Sequence, residues 1–418
     1  MELQRSERLP AVSRSAASRA LDLLARRIHG LDHGHLTLIG PHGERREIAG
    51  QGPGSEAVWH LRRPWATLVR LARHGDIGFA EGFINGEWTT PDLHALLRLA
   101  MENEHRLGRV YQRPAWQRGV DALRHWLRRN SRRGSRANIR FHYDLGNDFY
   151  RLWLDRGMGY SAALFCRGDE SLERAQEHKY ERLLTRLAPE PGAHILEIGC
   201  GWGGFAEFAA RRGYRVTGVT LSDEQLEYAR ERIRQAGLAD RVDLRLQDYR
   251  ELNETFDHVV SIEMFEAVGE RWWSTWFEQV HRCLRPGGRA AVQVITIEEA
   301  AFEYYRRNAD FIQLYVFPGG MLPTPARFGD AAAAAGLQVT ERAFFGADYA
   351  RTLMHWYREV MRTRGPIEAL GYSPAFLRMW RYYLAYCEIG FSSARVDLMQ
   401  TVMERPERGL PHGQEPRG

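Results

Sequence analysis

The run LEIGCGWGGFA at residues 196–206 places glycines at 199, 201, 203 and 204 directly behind a short apolar stretch. A strand that passes into a helix this abruptly needs backbone conformations that side chains resist, and glycine supplies them. The same turn leaves N–H groups unpaired at a helix start and lets a ligand come close to the backbone. The stretch therefore predicts an α/β unit with a bulky ligand at the carboxyl end of a strand.

The flanking sequence extends that unit. LERAQEHKYERLLTRL has helical spacing, with Tyr180, Leu183, Leu184 and Leu187 on one face, and leads into the strand HILEIG. After the glycine turn come a helix in FAEFAARRG, a strand in RVTGVTLS, a helix in DEQLEYARERIRQAG and strands in VDLRLQDY and FDHVVSIEMF. A helix in WWSTWFEQVHRCLRPGG and a strand in RAAVQVITI complete the series, and AAAAAG at 331–336 reads as a helix end. Such alternation implies a Rossmann-like, doubly wound parallel sheet. Residues 1–105 are expected to form a smaller, mainly helical N-terminal domain, with a helix in ASRALDLLARRIHG and a hairpin in HLTLIGPHGERREIAG. Helices follow in PWATLVRLARHG and TPDLHALLRLAMEN, the latter capped by Thr90 with Pro91 in its first turn. The expected boundaries are 1–105, a basic linker at 106–140, the main domain at 141–405 and a tail at 406–418.

At 418 residues with 44% hydrophobic and 11% aromatic content, the chain is long enough for two or three domains with real cores. His105 to Arg140 carries eleven arginines and one acid, Asp121, interleaved with Tyr111, Trp116 and Trp126. A solvated linker, an anionic membrane surface and nucleic acid all suit that stretch. Lys179 is the only lysine. Four cysteines without C-x-x-C spacing suggest neither disulfides nor a zinc site, and no metal is expected. No apolar run reaches the ~18 residues of a spanning helix and no signal-peptide core is present, so a cytoplasmic protein with peripheral membrane contact is expected.

The turn itself has the form E-x-G-x-G-x-G-G, with Glu197 at the strand tip and Gly199, Gly201 and Gly203 behind it. A dinucleotide or S-adenosylmethionine would suit a glycine-rich turn. An acid in this position faces a cationic ligand without the repulsion a pyrophosphate would bring. Gln247, Asp248 and Tyr249 end the third strand, where an adenine edge needs hydrogen-bond partners. The acid expected on a ribose about 20 residues after such a turn is missing; Thr220, Leu221, Ser222 and Gln225 occupy that region instead. No base-flipping signature accompanies the turn, and no nucleic-acid partner is expected.

Several further segments occur in the order found in one family. HYDLGNDFYRLWLDRGMGYSAALF, LEIGCGWGGFA, VTGVTLSDEQ, LQDYREL, FDHVVSIEMFEAVG, VQVITI, DFIQLYVFPGGMLPT and ADYARTLMHW resemble the cyclopropane-fatty-acyl-phospholipid synthase family over roughly residues 135 to 400. GDIGFAEGFINGEWTTPDL resembles the family's smaller N-terminal domain. The resemblance implies a class I methyltransferase fold and methyl transfer from S-adenosylmethionine to the cis double bond of an acyl chain in an intact phospholipid. Tyr160 and Ser161 would close over the cofactor.

Methylating an alkene leaves a carbocation, which aromatic faces can shield; Phe265, Tyr304, Tyr305, Tyr315 and Phe317 are candidates. Closing the ring needs a base. The resemblance implies a bicarbonate held by Glu266 of MFEAVG, Tyr349 of ADYARTL and backbone groups at Ala162 and Ile295. Gln293 stands where many bacterial members have histidine, and Ala162 where many have cysteine. Glutamine donates a hydrogen bond but carries no charge and shuttles no proton. Loss of a different proton, or hydride capture, would give a methylated alkene or a methyl-branched chain. FPGGMLPT at 317–324 is expected to lie over the acyl pocket with exposed apolar residues. A methyltransferase for a soluble acceptor and a lipid-binding protein without activity are rival readings, and a homodimer is left open.

Overall fold

The computed structural model describes residues 14–110 and 145–407, which fall into two compact units. Most of the arginine-rich stretch, with Trp116 and Trp126, and the tail beyond residue 407 lie outside the described residues.

The first unit is built on a four-stranded sheet in the order β2-β1-β3-β4, formed by β1 (His33–Ile39), β2 (Arg45–Ala49), β3 (Gly52–Leu61) and β4 (Trp88–Thr89). β1 and β2 form the expected hairpin, and β3 then returns parallel to β1. Only residues 50 and 51 make that crossing. It is possible because Gly50 lies on β1: its N–H donates to Gly34 O at 2.7 Å, and a Cβ there would stand 2.6 Å from the His33 carbonyl carbon. β3 escapes a reading by composition because GPG opens it, and glycine and proline are depleted in strands. Its second half alternates nonetheless, with Ala57, Trp59 and Leu61 buried. The helix Leu93–Glu102 is capped by Asp92, whose carboxylate accepts the Ala95 N–H at 3.0 Å. Thr90, the expected cap, instead accepts the N–H of Asp92, because the helix starts two residues later than Pro91 suggested.

A late segment, Ser373–Ile389, also belongs to this unit. It is most of the helix Pro374–Ser392, and its Tyr382 packs on Phe79 and Phe83 of the helix Pro64–Ile84 at 6.5 and 6.1 Å between ring centres. Arg378 donates to Ile84 O at 2.7 Å. Residues 141–405 are therefore not one continuous domain; an aromatic helix face assigns part of them to the N-terminal unit.

The second unit carries a seven-stranded sheet formed by β5 (His194–Ile198), β6 (Arg215–Thr220), β7 (Val242–Leu246), β8 (Phe256–Ile262), β9 (Leu284–Ile297), β10 (Gln338–Phe344) and β11 (Val396–Glu404), in the order β10-β11-β9-β8-β5-β6-β7. β11 runs antiparallel to both its neighbours and the other pairs are parallel. The fold is the expected Rossmann-like α/β sheet of a class I methyltransferase, with one reversed strand. Its central strands are apolar on both sides, as a sheet covered by helices on both faces requires. Leu196 and Ile198 of β5 enter a core with Trp276, Phe277 and Phe328 on one face, while Ile195 joins Leu183, Leu187 and Phe205 on the other.

The glycine turn is seated by β6. The N–H groups of Gly199 and Cys200 both donate to Val219 O at 3.0 Å. That approach leaves no room for a side chain at Gly218, where a Cβ would stand 2.9 Å from the Cys200 Cβ and 2.7 Å from Leu244 Cδ2. Gly218→Val should therefore destabilise the protein by about 1–3 kcal/mol through overpacking and lift the turn off β6. Urea unfolding should record the first effect, and calorimetric titration with S-adenosylmethionine should record weaker binding as the second.

Candidate active site

Each of the three spaced glycines of the turn has a positive φ, +88° at Gly199, +50° at Gly201 and +79° at Gly203. These left-handed steps carry the chain from β5 into the helix Gly204–Ala210. Glu197 is 3% exposed, and burial raises its carboxyl well above the usual carboxylate range. A cavity opens at this end of the sheet. Its walls include Tyr160, Ser161, Glu197, Gly199, Gly201, Thr220, Leu221, Gln225, Gln247 and Tyr249, ten of the thirteen positions expected to hold a cofactor.

The other three lie behind the wall. Gly203 faces Ala229 of the next helix, with 3.1 Å between a notional Cβ and the Ala229 Cβ. Ser222 caps the helix Asp223–Gln235 by accepting the Gln225 N–H at 3.2 Å. Asp248 accepts from the Arg250 backbone and guanidinium at 2.6–3.0 Å.

The motif upstream of the turn braces it. Asn147 accepts the Trp202 indole N–H at 2.7 Å. Tyr160 packs in an aromatic cluster with Tyr150, Trp153 and Trp356 at 5.3–5.5 Å. Beneath Ser161 lies Lys179, with no exposed surface, donating to Ser161 Oγ at 2.6 Å and to Gln176 Oε1. Loss of hydration lowers its pKa to about 8, while Glu263, Asp155 and Glu197 oppose the shift.

The expected catalytic set converges, but around a residue outside it. Glu263 Oε1 accepts the Ala162 N–H at 2.8 Å and the Gln293 amide at 2.7 Å, and Glu263 Oε2 accepts the Tyr349 hydroxyl at 2.6 Å. Glu266 lies alongside, accepting the Ile295 N–H at 2.5 Å through Oε1; its Oε2 is sealed from solvent with no hydrogen-bond partner among the described residues. Ala162, Gln293 and Tyr349 thus meet Glu263, while Ile295 meets Glu266. The Gln293 amide is oriented from behind by Gln400, which donates to Gln293 Oε1 at 2.8 Å from the paired position on β11. Burial and then the charge of Glu263 raise the Glu266 carboxyl to about 8.

Glu263 is the residue at the centre of this cluster, and sequence reasoning missed it. It is present in SIEMFEAVG three residues before Glu266, and only the second acid of that spacing drew a role. Its backbone is left-handed, with φ +49°, and it forms part of the cavity wall.

The aromatic candidates separate. Phe265 is a core residue between Trp273, Trp276, Phe277 and Phe328, and Tyr304 is 61% exposed. Tyr305 accepts the Leu322 N–H, and Tyr315 stacks on Phe311 at 5.4 Å. Segment 317–324 is packed rather than exposed: Pro318, Met321 and Pro323 are buried, and the Met321 N–H donates to the Glu266 carbonyl at 2.8 Å. Burial removes these apolar side chains from water, and the Met321 N–H bond keeps the Glu266 carbonyl beneath them satisfied.

A family model described as mycolic acid cyclopropane synthetase matches residues 130–401. The chain belongs to that family. It is 35% identical to the tuberculostearic acid methyltransferase of Mycobacterium tuberculosis over 96% of each chain. It is 36% identical to the cyclopropane-fatty-acyl-phospholipid synthase of Escherichia coli K12, over 82% of this chain and 86% of that one. Among solved structures, the mycolic acid cyclopropane synthase CmaA1 complexed with SAH and CTAB matches with TM-score 0.61 and 30% identity, covering 64% of this chain and 97% of that one. The protein is an S-adenosylmethionine-dependent methyltransferase of a lipid-modifying family. Among the described residues no helix is long and apolar enough to cross a membrane.

The Glu263–Glu266 pair carries a pH signature. With a folded pKa of about 8 against 4.5 when free, Glu266 binds more protons folded than unfolded between those values, so stability falls as pH rises through that window. Glu266→Gln should remove up to about 1.4 kcal/mol per pH unit of that slope. Urea unfolding at pH 5.5 and 8.5 should show the variant gaining on the wild type at the higher pH.

Proposed function

We propose that this enzyme methylates the cis double bond of an unsaturated acyl chain in a membrane phospholipid, and that proton loss from the transferred methyl group closes a cyclopropane. The observation that carries the reading is one cavity that joins the glycine turn and Glu197 to a carboxylate held by Ala162, Gln293 and Tyr349. The sulfonium of S-adenosylmethionine supplies an electrophilic methyl group.

In this reading Glu197, Gly199, Gly201 and Gly203 frame the methionine end, with Tyr160 and Ser161 closing over it. Thr220, Leu221, Ser222 and Gln225 serve the ribose, and Gln247, Asp248 and Tyr249 the adenine. Tyr305, Tyr315 and Phe317 are the candidates to shield the developing cation with their aromatic faces. The phospholipid substrate is supported by the name of the E. coli relative, and a lipid-like occupant by the CTAB complex.

A second reading rests on the mycobacterial relative that matches 96% of the chain and is named a methyltransferase. There the product would be a methylated alkene or methyl-branched chain without a ring. One experiment separates the two readings: incubation with S-adenosylmethionine and monounsaturated phospholipid vesicles, then mass spectrometry before and after mild hydrogenation. A gain of one CH2 that resists hydrogenation is expected; uptake of H2 after that gain would identify the methylated alkene, and no gain would refute the lipid reading.

The eleven arginines between His105 and Arg140 suit a peripheral anionic membrane surface, at about 1 kcal/mol per well-placed cation. Liposome sedimentation should accordingly require anionic lipid and weaken as salt rises; salt-independent binding would remove the electrostatic part.

A further inference from the structure

We propose that the carboxylate of Glu263 is the base that takes the proton from the transferred methyl group, in the place the family resemblance gives to bicarbonate. The inference rests on the acyl-chain methylation proposed above.

The bicarbonate cradle is already occupied. Bicarbonate and a carboxylate present the same planar pair of oxygens to hydrogen-bond donors. The donors that would hold bicarbonate, the Ala162 N–H, the Gln293 amide and the Tyr349 hydroxyl, all serve Glu263 at 2.6–2.8 Å. The residues present therefore do not fit a separate bicarbonate, because a side chain of the same shape already engages its cradle.

Backbone geometry points the same way. Glu263 has φ +49°, a conformation that costs a non-glycine residue of order 1–3 kcal/mol. Glycine would adopt it freely. A bulky acid held there, and anchored through three hydrogen bonds, is retained against the local preference of the backbone.

The carboxylate also has capacity to spare. Its two oxygens offer about four lone-pair sites, and among the described residues three are engaged, which leaves one on Oε2. Glu263 lines the cavity together with Tyr160 and Ser161, so the free site belongs to the compartment where the methyl group is delivered. In the step itself, the C–H pair of the new methyl group forms the third bond of the ring to the cationic carbon, and the proton passes to Glu263. If the ring does not close, the same base can take a proton from a carbon beside the cation and leave an alkene.

The substitution at Gln293 then follows. A histidine can manage charge beside a mobile anion. A neutral amide suffices beside a fixed one, and Gln400 aims its NH2 group at Glu263. Burial raises the Glu263 carboxyl above its ordinary value, while Tyr349, Lys179, Gln293 and the Ala162 N–H draw it back. It is thus a stronger base than a free carboxylate.

The test compares the full-length wild type, Glu263→Gln and Glu263→Gly on vesicles, in buffer stripped of bicarbonate and in buffer containing it, with S-adenosylmethionine binding followed by calorimetry. The wild type should turn over equally in both buffers. Glu263→Gln should bind the cofactor yet lose at least about a hundredfold in turnover. Glu263→Gly, which relieves the backbone and empties the cradle, should recover activity when bicarbonate or formate is added. A wild type that slows when bicarbonate is stripped, or a Glu263→Gln variant of undiminished turnover, overturns the role of Glu263 while leaving methyl transfer intact. A wild type that binds cofactor but methylates no lipid overturns both readings.

Discussion

The burial of four carboxyl groups governs this structure. Asp155, Glu197 and Glu263 act on the buried Lys179 ammonium, Glu197 also feels the Arg232 guanidinium, Glu266 feels the charge of Glu263, and burial raises the carboxyl of all four. Charges deprived of water are tolerated only when paired or neutralised. The protein meets part of that demand with hydrogen bonds: glycine N–H groups to Asp155, and an amide, a hydroxyl and a backbone N–H to Glu263. The remainder favours a cation, and a sulfonium brings one. The same field that attracts the cofactor would ease the build-up of positive charge on an alkene next to it.

The glycine turn and its sheet were legible in the sequence because they rest on local rules. Glycine where φ must be positive and apolar runs where a strand is covered on both sides leave a mark residue by residue. Ten of the positions expected to hold a cofactor consequently fall on one cavity. β3 was obscured by GPG at its start, although its crossing works only because Gly50 is bare. The reversal of β11 left no local mark either, since pairing direction depends on partners far away in sequence.

Glu263 was hidden for a different reason. Two acids in SIEMFEAVG look alike as letters, and only tertiary structure shows that the first collects Ala162, Gln293 and Tyr349 while the second meets Ile295. Its positive φ cannot be read from the residue type, because glutamate ordinarily avoids that region. Phe265 presents the converse case. An aromatic beside an acid expected to serve catalysis suggests a role in chemistry, yet its ring belongs to the packing of Trp276 and Phe328. Sequence neighbours in a turn can point to opposite sides of the sheet, one into the cavity and one into the core.

The helix Pro374–Ser392 has a consequence for how the chain comes together. Because Ser373–Ile389 completes the N-terminal unit, that unit cannot finish folding as it leaves the ribosome; its last piece is made after nearly the whole methyltransferase sheet. Both units are thus discontinuous in sequence: the catalytic unit runs to Tyr372, yields to Ser373–Ile389 and resumes with β11. Contacts that close over so long a loop form slowly, and until then the aromatic face of Phe79 and Phe83 is left without Tyr382. Neither unit can be excised with a single cut, and their inheritance is linked as tightly as their synthesis: a frameshift late in the gene would remove the closing helix of the earliest domain.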